Sequence, residues 1–297
     1  MKNLFYYLSL IFGILMLSSC DPNQDGNGDF LIGIDYDPNT NPGGNNGGTT
    51  KFLSKVTSVD SDGEQTTVDY IYTANKLTTV KSQFVDGSET AVLSYQNDQI
   101  SHVEITTTEL GETTLTKLDL IYTTGRLTSA SGTTESNGVL LYKSTNDFTY
   151  NGEKVSKVVT KMNVEDSENP GQFVLEYDVT SNITFAGNNI SNWKLATTTV
   201  PLGPISIPPI VLESELSNYD INKNPFATLP MAYNILSTHY NTSNQGILGL
   251  SANNYQAVKV TAMGVSQSLT MAYTYDEAGY PKTMNSNAGD KLTFLYK

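Results

Sequence analysis

The side chains that most often carry catalysis or bind transition metals are scarce in this chain. It has one cysteine, Cys20, and two histidines, His102 and His239, so a zinc site of the usual Cys/His kind cannot be assembled. Neither histidine lies in a recognisable motif, and we expect the His102 ring to face solvent from a strand. No Gly-x-Ser-x-Gly elbow is present for a serine nucleophile. We therefore predict no catalytic residue, no metal centre and no cofactor, and the sequence identifies no enzyme.

Carboxylates are the one abundant source of chemistry. The chain has 30 Asp and Glu against 17 Lys and Arg, a formal net charge of −13, and no basic cluster, which excludes nucleic acid as an expected partner. A glycoside hydrolase needs only two carboxylates about 5–10 Å apart. A glycan-acting hydrolase with unrecognised carboxylates therefore remains the alternative function. We nevertheless expect Glu104 and Glu109, and Glu213 and Glu215, to be solvated strand and loop residues.

Oxygen ligands also line a short segment near the N-terminus. Asp21, Asn23, Asp25 and Asp29 occupy positions 1, 3, 5 and 9 of a calcium loop, with a glycine at position 6. Position 12 is Ile32, where the loop needs a bidentate carboxylate. We favour an acidic spacer here and keep the four residues as candidate calcium ligands.

The N-terminus has the three parts of an export signal: a positive Lys2, an apolar run over residues 4–17, and small residues before a cleavage point. The run is shorter than the roughly 20 residues of a permanent spanning helix. Leu17-Ser18-Ser19-Cys20 resembles the lipobox of bacterial lipoproteins, in which the cysteine is alkylated by a diacylglycerol and becomes the new N-terminus. We predict a signal peptide over 1–19 and lipidation of Cys20; the alternative is a plain secretory signal followed by an incidental cysteine.

Residues 20–50 are predicted to be the lipidated cysteine followed by a flexible tether. Gly, Asn, Asp and Pro dominate after Cys20, and such a segment buries too little apolar surface to offset its ordering entropy. A flexible coil of about 30 residues has an end-to-end reach of roughly 30 Å. We expect a single folded domain to occupy residues 51–297.

An internal repeat organises that domain. Each unit is an alternating segment that ends in an aromatic residue, then a tight polar turn, then a segment that opens with an aliphatic residue. The units run from Tyr72 to Leu77, Tyr95 to Ile100, Tyr122 to Leu127 and Tyr150 to Val155, with weaker copies from Phe185 to Ile190 and Tyr275 to Tyr280. Each unit predicts a β-hairpin in which Asn or Gly supplies the positive φ of the turn. Asp-Gly turns near residues 60–63 and 85–88 read as the returns at the opposite end.

These hairpins predict an all-β fold with little helix. Six or seven hairpins give an antiparallel meander of about 12–14 strands, and a sheet that wide usually curls or closes. We expect a strongly curved sheet or a closed barrel. A barrel that spans the membrane is a minor alternative, because charged residues on both faces of a segment such as 154–161 would weaken it.

Three features interrupt the repeat. The segment 200–212 contains four prolines, which predicts a loop over one barrel mouth or, alternatively, a lid over a ligand pocket. A short helix near residues 228–236 would plug the same opening. Trp193 is the best candidate for stacking on a sugar ring, although core packing is favoured for it.

The repeat resembles the tyrosine–aspartate repeats of Rhs-type cell-surface proteins, most clearly in Tyr275-Asp-Glu-Ala-Gly-Tyr280. Together with the lipobox, and with segments 219–226 and 251–254, the chain resembles Bacteroidota lipoproteins of unknown function described as porin-like in fold. The resemblance implies a barrel domain, a lipid anchor in the outer membrane and a setting at the cell surface. It implies no activity. We therefore expect a structural or ligand-binding module whose partner is a glycan or an outer-membrane protein.

Overall fold

The computed structural model describes residues 51–200, 208–240 and 246–297, and the described residues form one closed antiparallel barrel. The strands are β1 (Leu53–Val59), β2 (Gln65–Thr73), β3 (Lys76–Phe84), β4 (Gly87–Gln96), β5 (Gln99–Glu109), β6 (Glu112–Thr123), β7 (Arg126–Ser136), β8 (Val139–Asn151), β9 (Lys154–Glu165), β10 (Phe173–Ala186), β11 (Asn189–Thr199), β12 (Ile210–Lys223), β13 (Asn253–Ala262), β14 (Val265–Tyr275), β15 (Pro281–Ser286) and β16 (Lys291–Tyr296).

The strands follow one another around the barrel in sequence order, and β1 pairs with β16 to close it. The expected all-β meander is therefore confirmed, and it closes. The described part of the chain contributes sixteen strands, more than the 12–14 expected, because β12 to β14 lie where the repeat is weak. Closure leaves the sheet without a free edge that another chain could extend.

The two ends of the barrel differ and are named here by position. The proximal end carries Lys51, Lys297 and the repeat turns, which lie at residues 74–75, 97–98, 124–125, 152–153, 187–188 and 276–280. The distal end carries the return connections, which lie at residues 60–64, 85–86, 110–111, 137–138, 166–172, 263–264 and 287–290, and the described flanks of the β11–β12 connection, residues 200 and 208–209. The predicted assignment of repeat turns and return turns to opposite ends is confirmed.

The first five repeat units form the predicted tight hairpins, whereas the sixth has a longer connection over residues 276–280. In the first three, both turn residues have positive φ, as at Asn97 and Asp98 with 49° and 64°. Two consecutive positive φ values make the type I′ turn whose twist matches that of the paired strands. In the fourth and fifth units only the first turn residue, Gly152 or Gly187, has positive φ. The sequence of each turn thus sets the register of its hairpin, since the turn type fixes which residues face each other.

A β-bulge follows each of the first five repeat turns, and the repeat has a dedicated residue for it. Tyr122 faces Leu127 and Ile121 faces Ser129, so Thr128 is the extra residue on its strand. The Thr128 hydroxyl donates to the carbonyl oxygen of Ile121 at 3.2 Å. A bulge leaves a ladder carbonyl without its regular partner, and this hydroxyl supplies one. A Ser or Thr makes the same bond at every such bulge, at Thr78, Ser101, Ser156 and Ser191.

The repeat aromatic residues link neighbouring hairpins. The Tyr95 hydroxyl donates to the carbonyl of Leu77 at 2.9 Å, and the Tyr150 hydroxyl donates to the carbonyl of Leu127 at 3.0 Å. A cation from the preceding hairpin also lies over the ring of each of these tyrosines. For example, Lys76 Nζ is 5.3 Å from the Tyr95 ring centroid. The repeat therefore encodes contacts between units as well as the turn within each unit, which explains the spacing of Tyr and Lys or Arg.

The inner and outer faces of the wall are chemically opposite. In β6 the inward residues Leu118 and Leu120 are buried, whereas Lys117 and Asp119 between them point outward. Outward charges form cross-strand pairs, such as Lys55 with Asp69 at 3.1 Å and Lys259 with Glu215 at 3.0 Å. The expectation of charges on both faces of 154–161 is wrong: the bulge at Ser156 shifts the alternation, so the three lysines all face outward, whereas Val155 and Val158 face inward.

An insertion between β12 and β13 fills the interior. A barrel of sixteen strands leaves a wide lumen unless something occupies it. The insertion enters at the proximal end and contains a 3-10 helix (Pro225–Thr228), helix α1 (Met231–Tyr240) and a second 3-10 helix (Gly246–Leu250). Seven of the ten α1 residues are buried, and Ile235 and Leu236 join the same apolar core as the strands.

The predicted short helix is therefore present, displaced by a few residues, but it enters at the other end of the barrel from the proline-rich segment's described flanks. Strand β11 ends and β12 begins at the distal end, whereas α1 enters from the proximal end, because β12 runs from the distal to the proximal end. Residues 201–207, which hold part of the proline-rich segment, lie outside the described residues.

Candidate functional site

Several predicted site residues lie outside the described residues: Cys20 and the candidate calcium ligands Asp21, Asn23, Asp25 and Asp29. Lipidation and calcium binding therefore stay predictions. Over residues 51–200, 208–240 and 246–297, no cluster of three or more His, Cys, Asp or Glu side chains is arranged to hold a metal ion. No helix among these residues is long and apolar enough to cross a membrane.

The carboxylates singled out in the sequence lie on the outer wall or near strand ends. Glu104 faces outward between the buried Val103 and Ile105, and Glu109 ends its strand at the distal end. On β12, Glu215 pairs with Lys259 at 3.0 Å, and Glu213 accepts a hydrogen bond from Asn192 Nδ2 at 2.9 Å. These contacts are those of surface side chains.

The two histidines have opposite environments. His102 lies on the outer wall, where its Nδ1 is 2.7 Å from Asp119 Oδ1. His239, near the end of α1, is buried in the middle of the barrel, and burial lowers its pKa to about 4. It is therefore neutral at physiological pH. Trp193 lies close to it on β11, half-buried against the core, with its Nε1–H donating to Ser181 Oγ at 3.3 Å.

His239 is held by hydroxyl groups on both ring nitrogens. Nδ1 lies 2.9 Å from Thr160 Oγ1, and Nε2 lies 3.1 Å from Ser181 Oγ. Thr160 donates its own hydrogen to Asn146 Oδ1 at 2.6 Å, so its oxygen must accept from His239. This assigns the proton of the neutral ring to Nδ1 and makes Nε2 the acceptor of the Ser181 hydroxyl.

The bonds around His239 thus run in one direction through four strands and the helix. Trp193 donates to Ser181, Ser181 to His239, His239 to Thr160 and Thr160 to Asn146, whose Nδ2 donates to Tyr240 Oη at 2.8 Å. We call these six residues the His239 relay. It fastens α1 to β8, β9, β10 and β11.

The His239 relay contains a Ser–His pair, but its arrangement is not that of a nucleophile and base. A base of that kind has a carboxylate or amide acceptor on its second nitrogen and a serine open to substrate. Here a threonine occupies the second nitrogen, and Ser181, Thr160 and Asn146 are each fully buried. The arrangement satisfies buried polar groups. The prediction that Trp193 stacks on a sugar stays a prediction, with its Nε1–H already bonded inside the wall.

A second polar cluster pins the two ends of the insertion. Asp220 Oδ1 accepts from the backbone N–H of Asn222 at 2.9 Å and from that of Asn254 at 3.2 Å. Asn224 Oδ1 accepts from the Phe226 N–H at 3.0 Å, while its Nδ2 donates to the carbonyls of Leu248 and Ser251 at 2.8 and 2.9 Å. The segments 219–226 and 251–254, singled out in the sequence, therefore have a structural role: they close the loop through which the insertion leaves the wall.

Packing leaves little space at the proximal end of the interior. One cavity of about 20 Å³ lies between the insertion and strands β13 to β16, with Asn224, Phe226, Tyr273 and Phe294 in its lining. That volume accommodates about one water molecule. The insertion therefore occupies this part of the lumen as core.

Fold and interior together define a class: a closed antiparallel barrel with a polar outer wall and an inserted apolar plug. No protein-family model matches the chain, and no curated protein matches it. Among solved structures it is similar to a porin-like protein from Bacteroides vulgatus, with a TM-score of 0.52 and 12% identity over 84% of this chain and 99% of that one. A porin-like protein from Bacteroides uniformis gives a TM-score of 0.48 at 14% identity, over 82% of this chain and 96% of the other. The first of these likenesses shows a shared barrel fold.

Proposed function

We propose that the chain is a lipid-anchored module of the cell envelope that acts as a structural or ligand-binding surface and forms no pore. The observation that carries this proposal is the polarity of the barrel: its wall is polar and charged outside, and the insertion packs into an apolar core in the proximal part of its lumen. Membrane-spanning barrels have the reverse arrangement, with an apolar outer band about 25 Å tall and a polar interior.

The outward charges make a spanning position unfavourable. A lysine or arginine on the lipid face at the bilayer midplane costs roughly 2–4 kcal/mol. Lys117, Lys157, Lys161 and Lys194 all point outward from strand interiors. A barrel of this kind does not span a bilayer, so permanent anchoring depends on the diacylglycerol expected at Cys20.

The location we infer is the outer membrane, with the barrel on the cell surface and a glycan or an outer-membrane protein as its partner. The lipobox and the acidic residues that follow Cys20 support this location. The structural likeness to porin-like proteins of Bacteroides is consistent with it.

The test compares, in cells, the wild-type chain with a Cys20→Ala variant whose residues 1–19 are replaced by a cleavable secretory signal. We expect only detergent to extract the wild type from the membrane fraction, whereas a wash with alkaline carbonate should release the variant. Protease added to intact cells should degrade the wild-type barrel, while a periplasmic marker protein stays intact as the control. A Cys20→Ala chain that still requires detergent for extraction would contradict the lipid-anchor proposal; protection until lysis would contradict the surface location alone.

A further inference from the structure

The distal tips of the barrel carry large apolar side chains in water. Val85, Leu110 and Val139 lie at three neighbouring return turns with 61, 66 and 65% of their surface exposed. Across the barrel, Met263 and Val265 flank another return turn and are 76 and 61% exposed. Exposed apolar residues scattered singly need no explanation, whereas several gathered at one end of a molecule mark a contact surface. We call these five residues the distal rim.

Two members of the distal rim sit where the backbone itself disfavours them. Leu110 and Met263 have φ values of 50° and 51° at the first central position of a type I′ turn. Bulky residues rarely adopt positive φ, and this position strongly favours Asn, Asp or Gly. The same chain places Asn97 and Asn137 at the equivalent position, with φ values of 49°. Leu110 and Met263 are therefore unfavourable at these positions for two reasons: their backbone conformation and the exposure of their side chains to water. This indicates that the two side chains contact another surface.

The proximal turns provide the internal comparison. Their tips are Ala74-Asn75, Asn97-Asp98, Thr124-Gly125, Gly152-Glu153 and Gly187-Asn188, which are polar or small. The exposed apolar residues of the barrel wall at this end lie on the strands near their ends and not at the turn tips: Ile71, Ile121, Ile221 and Leu295. The same hairpin architecture therefore has polar turn tips at one end of the barrel and apolar tips at several positions of the other.

The spacing of the distal rim favours a fluid surface as its occupant. Neighbouring hairpins are two strands apart, roughly 10 Å along the wall. The apolar side chain at each tip is therefore separate from the next one, and we call each such tip a prong. A protein partner would need one pocket at each prong in matching positions. The interface of a bilayer accepts separate apolar side chains at any position, as it does for interfacial helices.

Charges beside the prongs indicate the kind of bilayer. Asp86 follows Val85 directly, Glu109 and Glu112 flank the Leu110 turn, and Glu135 faces Leu140 beside Val139. The closest lysines along these hairpins are Lys81 and Lys143, each four residues from a rim valine. Carboxylates at this level are attracted by the ammonium groups of zwitterionic headgroups and repelled by anionic lipid.

We propose that the distal rim is a membrane-docking surface whose side chains insert into the headgroup region of a zwitterionic phospholipid bilayer. The surface belongs to the barrel itself and lies at the end opposite Lys51. The inference therefore stands independently of the lipid at Cys20.

The test uses the unlipidated chain of residues 21–297, so that no lipid anchor contributes. The probe is a vesicle of phosphatidylcholine, with vesicles of phosphatidylglycerol for comparison, and binding is measured by co-flotation. We expect binding to phosphatidylcholine and at least tenfold weaker binding to phosphatidylglycerol at low salt. Leu110→Asn and Met263→Asn should each lower the partition coefficient about tenfold, without lowering the melting temperature. Asn97→Leu, at the proximal end, is the matched variant and should leave binding unchanged.

A fluorophore gives the orientation directly. The chain after Cys20 has no cysteine, so Asn137→Cys and Asn97→Cys place a single label at equivalent turn positions on opposite ends. Phosphatidylcholine vesicles should shift the emission of a polarity-sensitive label to the blue at residue 137 and leave it unchanged at residue 97. No binding to phosphatidylcholine, binding that the Asn substitutions leave unchanged, or a rim-dependent dimer formed without vesicles would each overturn the proposal.

Discussion

At the scale of the residue, each repeat unit supplies the side chains that a tight turn followed by a bulge requires. A type I′ turn followed by a bulge needs a residue that tolerates positive φ, an aromatic to cover the turn, and a hydroxyl for the orphaned carbonyl. The chain supplies Asn75, Tyr72 and Thr78 in its first unit. The turn and the aromatic were predictable from the sequence. The hydroxyl was not, because Ser and Thr are common throughout these strands and only the register marks the bulge position.

The bulge hydroxyl should contribute measurably to stability. Thr128→Val keeps the shape of the side chain and its strand preference but removes the donor to the Ile121 carbonyl. We expect the free energy of unfolding to fall by about 0.5–1 kcal/mol, measured by urea denaturation. Thr133→Val, on the same strand without a side-chain hydrogen bond of this kind, is the control and should change stability by less than about 0.5 kcal/mol. If Thr128→Val and Thr133→Val lowered stability equally, the hydrogen bond at the bulge would make no specific contribution to stability.

At the scale of the element, helix α1 and its relay were only partly visible in the sequence. A short helix in the insertion could be predicted from an apolar stretch after Pro230. Its attachment could not, because Asn146, Thr160 and Ser181 come from three different strands and look like ordinary polar strand residues. Only the closed barrel brings them to one point. The sequence therefore predicts which segment fills the interior better than it predicts what holds it there.

The His239 relay makes stability depend on pH in a defined window. The folded-state pKa of His239, about 4, lies below the value of about 6.5 in the unfolded chain, so the unfolded state binds the proton first as pH falls. Stability is complete above about pH 6.5 and is lost progressively down to about pH 4, by a total of about 3 kcal/mol. Urea midpoints between pH 7 and 4 measure this slope.

The control for that slope is the other histidine. His239→Gln should flatten the pH dependence between pH 6.5 and 4 relative to wild type, although it is less stable at every pH because the relay is broken. His102→Gln, on the outer wall, removes the other histidine and keeps His239, and is the matched variant. A wild-type slope that survives His239→Gln would show that carboxylates alone produce it.

Helix α1 should also behave as core. Ile235 is fully buried inside the barrel, so Ile235→Ala is expected to cost about 2–5 kcal/mol and to lower the single unfolding transition of the whole domain. Met231→Ala, on the same helix but partly exposed, should cost much less. If Ile235→Ala left the unfolding transition of the barrel unchanged, α1 would not be part of the barrel core.

At the scale of the whole molecule, the pattern of polarity separates this barrel from membrane-spanning ones. Hairpin repeats predicted the meander and its closure, since a wide sheet must curl or close. The hairpin repeats did not predict which face of the sheet would be apolar. Strict alternation along β9 would place its lysines on both faces, but the bulge shifts that alternation by one residue. The structure resolves the two faces: valines and leucines line the interior, and the charges pair across strands outside.

The most direct test of the central claim is sedimentation of the unlipidated chain of residues 21–297 in buffer without detergent, repeated with detergent present. A barrel with a polar wall and a filled lumen should sediment as a folded species of unchanged mass in both conditions, with no bound detergent. Aggregation in buffer, together with a bound micelle in detergent, would mean that the outer wall belongs in lipid and would contradict the account.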